Sequence, residues 1–429
     1  MGDDLSRYAQ ALDYLFVRTA GPWRLGLERT AALLHEIGDP HRGLRIIHVA
    51  GTNGKGSVCA MLEAVLRGRG FRVAKYTSPH LIDFRERILI DGAPASEDAV
   101  VAFVDRWTPT IERLGATFFE ATTAMAFSII ADAAPDVAIV EVGLGGRLDS
   151  TNVVDPMAAI VTNVGFDHTE YLGDTRDAIA REKAGIFKPD RAAIVGEADP
   201  RMRRVLAQLA AAARGAPRVE VADAWPVSRV RVGADGTAFT AGLRDAAVEC
   251  RTSMIGAHQA ANAATALAAL GILPPPFATP APDAAPLLTR ARVPGRFQRW
   301  DRYIFDVAHN RDGAGVCAAA LSAVAPSRPC VALVSVLRDK DWRGMLAALA
   351  PAVDSFVLTA APTAPAPRAW DPAEAGRFAE ERGWKVRVEP DFDRALDVVS
   401  REAATVLITG SFHTVGDAMS RLQVSPLAE

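Results

Sequence analysis

Short apolar runs recur along the chain, separated by segments whose apolar positions have helical spacing. Residues 5–37 show this spacing, which predicts helices interrupted at Gly21-Pro22, and residues 57–70 predict a helix ended by Gly70. The apolar runs do not alternate with polar residues, so we expect strands of a parallel sheet covered on both faces. The strands predicted in this part of the chain are GLRIIHVA (43–50), FRVAKYTS (71–78), PDVAIVEVG (135–143) and MAAIVTNV (157–164).

A mixed stretch at 191–255 follows, with a helix predicted near 201–214. The segment 274–286 (PPPFATPAPDAAP) then marks the clearest change in composition, and its prolines argue against a helix or a central strand. The short strand candidates of the mixed stretch are AAIVGE (192–197), RVRVGA (229–234) and TAFTAG (237–242).

A second alternation of apolar runs and Ala/Leu-rich segments begins after residue 290 and predicts another doubly wound sheet. We therefore expect an α/β protein with an N-terminal domain at 1–290 and a smaller, Rossmann-like domain at 291–429. The strands predicted in the second domain are YIFDVAH (303–309), CVALVSVL (330–337), SFVLTA (355–360), KVRVEP (385–390) and TVLITG (405–410).

Composition narrows the class of protein. The 429 residues carry a net charge of −3 and are 23% charged, so no basic surface for nucleic acid is expected. Four scattered cysteines exclude a disulfide scaffold and a cysteine zinc site, and they fit a reducing cytoplasm. No apolar run reaches the roughly 18 residues of a membrane helix. We expect a cytoplasmic protein that acts on small molecules, without membrane or nucleic-acid partners.

The segment GTNGKGS (51–57) lies between a predicted strand and a predicted helix, the setting of a phosphate-binding loop. A Walker A loop has a hydroxyl directly after its lysine, but here Gly56 follows Lys55 and the hydroxyl comes at Ser57. Backbone N–H groups around residues 52–55 form an anion nest, and Lys55 reaches the outer phosphates. A P-loop ATPase-like N-terminal domain follows from this interpretation. A glycine-rich turn that binds nothing is the alternative.

Four further residues are candidates for the chemistry of this sheet edge. Glu141 ends a predicted strand, His168 follows another, and Ser78 leaves the second strand. A buried carboxylate needs a cation, and Mg²⁺ prefers hard oxygen ligands, so Ser78 is a candidate for the hydroxyl that Gly56 lacks. The alternatives are an ion-paired Glu141 and a hydrogen-bonding structural His168. Lys183 lies in a predicted helix end, and its alternative is an ordinary solvated or ion-paired lysine.

Together these segments resemble the Mur ligase superfamily, and within it the folylpolyglutamate synthases and the bacterial bifunctional dihydrofolate synthase/folylpolyglutamate synthases. The resemblance covers most of the chain and is sparsest at 190–255. The segments that carry it are LGLERT (25–30), AGTNGKGS (50–57), YTSPHLIDFRERI (76–88), FFEATTAMAF (118–127), EVGLGGRLDSTN (141–152), TNVGFDHTEYLG (162–173), REKAGIFK (181–188), GAHQAANAATAL (256–267), PGRFQ (294–298), FDVAHN (305–310), LRDKDW (337–342) and TGSFHTVG (409–416).

The resemblance implies roles for individual residues. Catalytic roles fall to Lys55, Lys183 and His168, and Lys183 matches a lysine that the family carbamylates, which requires a neutral amine. Mg²⁺ is implied at Ser78, Glu141 and His168. The implied ATP contacts are Thr52, Asn53, Gly54, Lys55, Gly56, Ser57, Asn262, Arg296, Asp306 and His309. The implied contacts of the pterin substrate are Arg24, Leu25, Thr117, Phe119, Glu120, Leu148, Asp149 and Ser150.

The implied activity is an ATP-dependent amide ligase. It would add L-glutamate to dihydropteroate, and to the γ-carboxylate of reduced folates, through an acyl phosphate. A monomer is expected. The alternatives are a Mur-type ligase for a peptidoglycan precursor or cyanophycin, a nucleotide-binding regulator without turnover, and a plain P-loop kinase.

One position departs from the family pattern. Arg311 stands where the family has a proline after Asp-x-Ala-His-Asn. Because proline at a first helical position pre-sets the backbone, its replacement puts the start of the following helix in question.

Overall fold

The computed structural model describes residues 6–19, 25–243 and 246–427. Its largest sheet has eight strands in the order β4-β3-β2-β5-β1-β6-β7-β8, and only the β2-β3 and β3-β4 pairings are antiparallel. The strands are β1 (Ile46–Ala50), β2 (Val73–Tyr76), β3 (Ile88–Ile90), β4 (Ala93–Pro94), β5 (Val137–Glu141), β6 (Ala158–Val161), β7 (Ala192–Val195) and β8 (Arg218–Glu220).

Helices cover both faces of this sheet, as the continuous apolar strands predict. One face packs against α3 and α10, and the other against α1, α2, α4 and α5 and, further along, α7 and α8. The helices are α1 (Arg7–Phe16), α2 (Glu28–Ile37), α3 (Lys55–Gly68), α4 (Glu97–Leu114), α5 (Phe118–Ala133), α6 (Thr169–Leu172), α7 (Arg176–Ala184), α8 (Pro200–Ala212), α9 (Val221–Ala224), α10 (His258–Ile272) and α11 (Ala281–Ala284).

The mixed stretch contributes a small antiparallel sheet in the order β11-β10-β9, built from β9 (Val227–Gly233), β10 (Gly236–Ala241) and β11 (Val248–Thr252). Phe239 and Cys250 of this sheet are buried in the same core as α3 and α10. The strand candidates of this stretch are confirmed as β7, β9 and β10.

The C-terminal sheet has six strands in the order β12-β13-β17-β14-β15-β16, all parallel except β12. Helices α12, α13 and α14 cover one face, and α15 and α16 cover the other. The elements are β12 (Gln298–Trp300), β13 (Tyr303–Asp306), α12 (Arg311–Val324), β14 (Cys330–Val334), α13 (Trp342–Leu349), β15 (Ser355–Leu358), α14 (Pro372–Glu380), β16 (Val386–Val388), α15 (Phe392–Glu402), β17 (Thr405–Thr409) and α16 (Phe412–Arg421).

Three local expectations need correction or an answer. The expected irregular segment 274–286 contains α11, whose Ala281 and Ala284 are buried in the N-terminal core. The helix after the phosphate loop begins at Lys55, two residues before Ser57. Helix α12 does begin at Arg311, because the side chain of Asn310 caps it by accepting from Gly313 N at 2.7 Å.

The predicted break at Gly21-Pro22 lies outside the described residues. All four cysteines are buried and free. In the described ranges, no helix is both long and apolar enough to cross a bilayer.

Candidate active site

The phosphate-binding loop leaves the carboxyl end of β1 and leads directly into α3. Gly54 caps α3 with φ of 82°, a left-handed conformation that favours glycine. A Cβ on Gly54 would also collide with the carboxamide of Asn262, which lies in α10. Asn262, an expected nucleotide contact, therefore lies against the loop. Because α3 starts at Lys55, Gly56 and Ser57 belong to its first turn, where backbone N–H groups without an intrahelical partner are suited to bind an anion.

Lys55 lies between the loop and Glu141. Its Nζ donates to the carbonyl of Gly51 at 3.1 Å and to that of Thr52 at 3.4 Å, and it is 3.9 Å from Glu141 Oε1. The structure thus places a cation and an anion together at the edge predicted to bind phosphate.

Glu141 ends β5, as predicted, and is buried. Its Oε2 accepts a hydrogen bond from the backbone N–H of Ser78 at 3.2 Å, so these two expected metal ligands are neighbours. Burial raises the pKa of Glu141, and the charges of Lys55 and Arg296, with the Ser78 N–H, oppose that rise. This carboxylate is suited to a divalent cation, whose charge would offset its burial.

His168, the third expected metal ligand, caps α6 seven residues beyond the end of β6 and has φ of 50°. Its imidazole Nε2 lies 3.8 Å from Asp167 Oδ2. Burial lowers the pKa of His168 to about 4; Asp167 opposes this, and the charges of Lys340 and Lys55 add to it. A neutral imidazole is the form that can ligate a metal. The positive charge of Lys55 therefore lowers the pKa of both His168 and Glu141.

The described residues contain no group of three or more His, Cys, Asp or Glu side chains that could hold a metal ion. The expected set of Ser78, Glu141 and His168 contains only two residues of those types.

Lys183 is buried in α7, with 3% exposure. Burial and, to a smaller extent, the positive charge of Lys55 together lower the pKa of Lys183 to about 7, although the charges of Asp167 and Asp149 oppose this shift. A large fraction of Lys183 is therefore a neutral amine near neutral pH, which an ordinary solvated lysine would not be.

The C-terminal domain contributes its expected residues to the same edge. Asp306 accepts from the N–H groups of Phe297 and Ala308, both at 2.9 Å. The guanidinium of Arg296 lies 5.7 Å from the ring centre of Phe412, and its charge lowers the pKa values of Glu141 and Asp306. Arg296 is thus close to the carboxylate beside Lys55.

Three contacts between the domains could not be predicted from the sequence. Asp167 Oδ1 pairs with Lys340 Nζ at 2.6 Å, and its Oδ2 lies 3.3 Å from Nε2 of His309. The side chain of Asn310 donates to Asn53 Oδ1 of the phosphate loop at 3.2 Å. The segments GFDH, LRDKDW and FDVAHN contain these residues, but nothing in their spacing indicates that they meet across a cleft.

Asp167 has an unusually low pKa for a partly buried carboxyl group. Burial raises that pKa, but the hydrogen bond from His309 and the charges of His309 and Lys340 outweigh burial and hold the pKa of Asp167 well below its ordinary value. Asp167 therefore stays ionised, and it collects three basic groups beside the phosphate loop.

Of the expected pterin contacts that the structure describes, several have structural roles. Thr117 and Glu120 form a capping box at the start of α5, and Glu120 also pairs with Arg29 at 2.8 Å. Asp149 accepts from the backbone N–H groups of Leu144 and Thr151.

Phe119 stacks on Tyr76, with ring centres 6.5 Å apart, and packs against Gly143. Ser150 is buried, Leu25 is 37% exposed, and the carbonyl of Leu148 accepts from Gly26 at 3.3 Å. Arg24 lies outside the described residues.

This two-domain α/β fold, with its phosphate loop at the cleft, matches known families along most of its length. Residues 49–270 match the Mur ligase middle domain, and residues 295–412 match the Mur ligase glutamate ligase domain. The chain belongs to the Mur ligase family.

Within that family the chain is similar to dihydrofolate synthase/folylpolyglutamate synthases. It is 36% identical to that enzyme of Escherichia coli over 406 residues, covering 92% of this chain and 90% of the relative. It superimposes on Mycobacterium tuberculosis folylpolyglutamate synthase complexed with ADP, with a TM-score of 0.87, 33% identity and coverage of 99% and 100%. It also superimposes on the Yersinia pestis bifunctional folylpolyglutamate synthase/dihydrofolate synthase complexed with AMPPNP and a Mn ion. The TM-score is 0.83 at 35% identity, and the match covers 99% of this chain and 100% of that one. The resemblance and the predicted fold class are confirmed.

Proposed function

We propose that this chain is an ATP-dependent ligase that adds L-glutamate to dihydropteroate and to the γ-carboxylate of reduced folates. The observation that carries the proposal is the position of Lys55, between the phosphate loop and Glu141 and close enough to Lys183 and His168 to affect their pKa values. The similarity to dihydrofolate synthase/folylpolyglutamate synthases over both domains supports the substrate class.

The residues of the loop fit a nucleotide and a divalent cation. The Mn ion and AMPPNP of the Yersinia pestis enzyme support both ligands, and we propose Mg²⁺ as the ion. Ser78, Glu141 and His168 would hold it, and when bound it would neutralise phosphate charge as a Lewis acid. The proposed ATP contacts are Thr52, Asn53, Gly54, Lys55, Gly56, Ser57, Asn262, Arg296, Asp306 and His309.

The chain's own residues then position two displacements. A substrate carboxylate oxygen attacks the γ-phosphorus of ATP, which gives an acyl phosphate and releases ADP. The amino nitrogen of L-glutamate attacks the acyl carbon, phosphate leaves with the bonding electrons, and the nitrogen loses its proton. Lys55 and Arg296 stabilise the negative charge that moves between these groups, and the cleft between the domains excludes water from the acyl phosphate.

We further propose that Lys183 is carbamylated. Its neutral amine would attack CO₂ and lose a proton, which replaces a cation with two anionic oxygens. The support is its burial and its lowered pKa, which keep an unprotonated nitrogen available beside Lys55.

Several further expectations belong to this proposal. The pterin site would use Arg24, Leu25, Thr117, Phe119, Glu120, Leu148, Asp149 and Ser150. The boundary of the domains is placed between residues 290 and 291. We also propose a monomer that works in the cytoplasm on its small-molecule substrates alone.

An assay of ADP release with L-glutamate tests the function. Dihydropteroate and tetrahydrofolate should each stimulate ADP formation, and mass spectrometry should show one added glutamate on the first and one or more on the second. A UDP-linked sugar–peptide precursor should give no stimulation. Stimulation by that precursor alone would contradict the proposal.

A further inference from the structure

His80, which is partly exposed, and the buried Arg87 form a pair outside the expected site residues. Arg87 is the last residue of a single 3₁₀ turn, Phe84–Arg87, and is only 7% exposed. Its Nε donates to His80 Nδ1 at 2.8 Å. His80 belongs to the loop that follows Ser78, and is only partly exposed.

The guanidinium of Arg87 lacks the partner that a buried cation ordinarily has. Within the described residues no carboxylate lies at ion-pairing distance from it. Instead its carbon lies 5.8 Å from the ring centre of Phe84 and 5.3 Å from that of Phe118. Because burying a charge without a carboxylate is costly, a purely structural arginine is a poor account of this position.

The hydrogen bond between the two residues determines which tautomer the imidazole of His80 adopts. Arginine has five N–H donors and no acceptor, so Nδ1 of His80 must be the acceptor and cannot carry a proton. The proton of the neutral ring therefore lies on Nε2. The rings of Phe16 and Phe84, 6.2 and 6.0 Å from the imidazole, restrict its rotation.

His80, which carries the fixed Nε2–H, belongs to the loop that runs from Ser78, an expected metal ligand, to the surface of the C-terminal domain. Leu81, the next residue, packs its carbonyl against Gly416 and its side chain against Gly295, both in the C-terminal part. Two residues earlier, the backbone of Ser78 contacts Glu141. Among the described residues no atom accepts a hydrogen bond from Nε2. A donor of defined direction is thus unused at the cleft.

We infer that His80 positions the acyl substrate: its Nε2–H, fixed by Arg87, donates to an oxygen of the carboxyl group that the enzyme activates. This inference rests on the proposed function, since it names a contact to the pteroate or folate acid. It requires a fixed donor close to the proposed metal ligands, and the Arg87–His80 pair supplies one two residues beyond Ser78, whose N–H binds Glu141. The acceptor is a carboxylate oxygen, which prefers a donor that does not rotate.

Nitrogen NMR of the full-length enzyme labelled with ¹⁵N-histidine tests the fixed tautomer without any activity. His80 should show an unprotonated Nδ1 and a protonated Nε2, assigned by the signals lost in His80→Phe. In Arg87→Met the signals should move towards a mixture of tautomers, whereas the exposed Arg113→Met should leave them unchanged. A protonated Nδ1 in the unmodified protein would overturn the inference.

Kinetics test the contact itself. His80→Phe removes the donor but keeps a ring, so kcat/KM for dihydropteroate should fall about tenfold or more while the KM for ATP stays within about twofold. His80→Gln, whose amide reaches the Nε2 position, should recover much of the loss, and His80→Asn should not. His35→Phe, an exposed histidine on α2, is the matched control.

The outcomes separate this inference from the function on which it rests. An active unmodified enzyme with unchanged kcat/KM in His80→Phe would refute the role of His80 alone. If no pteroate or folate stimulates the unmodified enzyme, the proposed function fails first. A rise in the KM for ATP as large as the fall in kcat/KM for pteroate, or failure of His80→Gln to restore activity in a protein with unchanged thermal unfolding, would also refute the contact.

Discussion

At the scale of single residues, the charge of Lys55 organises the site. It lies 3.9 Å from Glu141, and it lowers the pKa values of Glu141, His168 and Lys183. One ammonium thus helps to keep a carboxylate ionised, an imidazole neutral and a second amine unprotonated. Each of these is the form that the proposed chemistry needs.

Lys55→Ala should reduce ADP formation by about 10²–10³-fold, because it removes the cation that stabilises charge on the transferring phosphoryl group. The fold should persist, since the side chain is at the edge of the core. The measurement is steady-state ADP release together with thermal unfolding. Lys385→Ala, at an exposed position, is the control and should be unaffected. Full turnover in Lys55→Ala would show that residues 51–57 are not the phosphate-binding loop.

The carbamate on Lys183 should depend on pH in a defined direction. Burial and Lys55 bring the pKa down to about 7 from 10.5, so the neutral amine grows as the pH rises through about 7. At a constant concentration of dissolved CO₂, the ¹³C signal of a carbamate should therefore increase between about pH 6 and pH 8. Lys183→Arg should abolish the signal. A signal of equal size in that variant would assign the carbamate elsewhere.

At the scale of helices and strands, the sequence predicts long elements well and short ones poorly. Strands β1, β5, β14 and β17 are buried at every position. The absence of polar alternation in these runs therefore predicted correctly that both faces of the sheet are covered. Strands β4 and β12 have two and three residues, and β12 is half exposed, so they carry almost no hydrophobic signal. Helix α11 was missed because proline suits a first helical turn as well as a loop.

The capping box of α5 provides a test that separates stability from substrate binding. Thr117→Val keeps the shape but loses the hydroxyl that accepts from Glu120 N, so the free energy of unfolding should fall by about 1 kcal/mol. Urea denaturation measures this change, and Thr117→Ser should avoid it. If Thr117→Val leaves the free energy of unfolding unchanged, the cap contributes nothing. The KM for dihydropteroate, measured in parallel, reports the proposed contact with substrate.

At the scale of the whole molecule, the C-terminal domain contacts the phosphate loop directly. Lys340 and His309 bind Asp167, and Asn310 donates to Asn53. The sequence could place Asp306, Arg296 and His309 near a nucleotide only through family resemblance. The pairing of Asp167 with Lys340, 173 positions apart, depends on how two separate sheets dock, which no local pattern encodes.

Lys340→Met should weaken the docking of the two domains, because it leaves Asp167 with less compensating charge in a poorly solvated place. We expect kcat/KM for ATP to fall about tenfold and small-angle scattering to show a larger radius of gyration. Lys340→Arg should retain part of both properties. Lys385→Met is the control. An unchanged radius and rate in Lys340→Met would show that the pair does not hold the domains together.

The buried cysteines have a practical consequence. Burial raises the pKa values of Cys250 and Cys330 to about 11, and those of Cys59 and Cys317 well above their ordinary range. Thiolates are the reactive form, so the folded enzyme should resist alkylating reagents and mild oxidants. A dye attached to one engineered surface thiol in each domain would then report distances across the cleft during turnover, with every native thiol left in place.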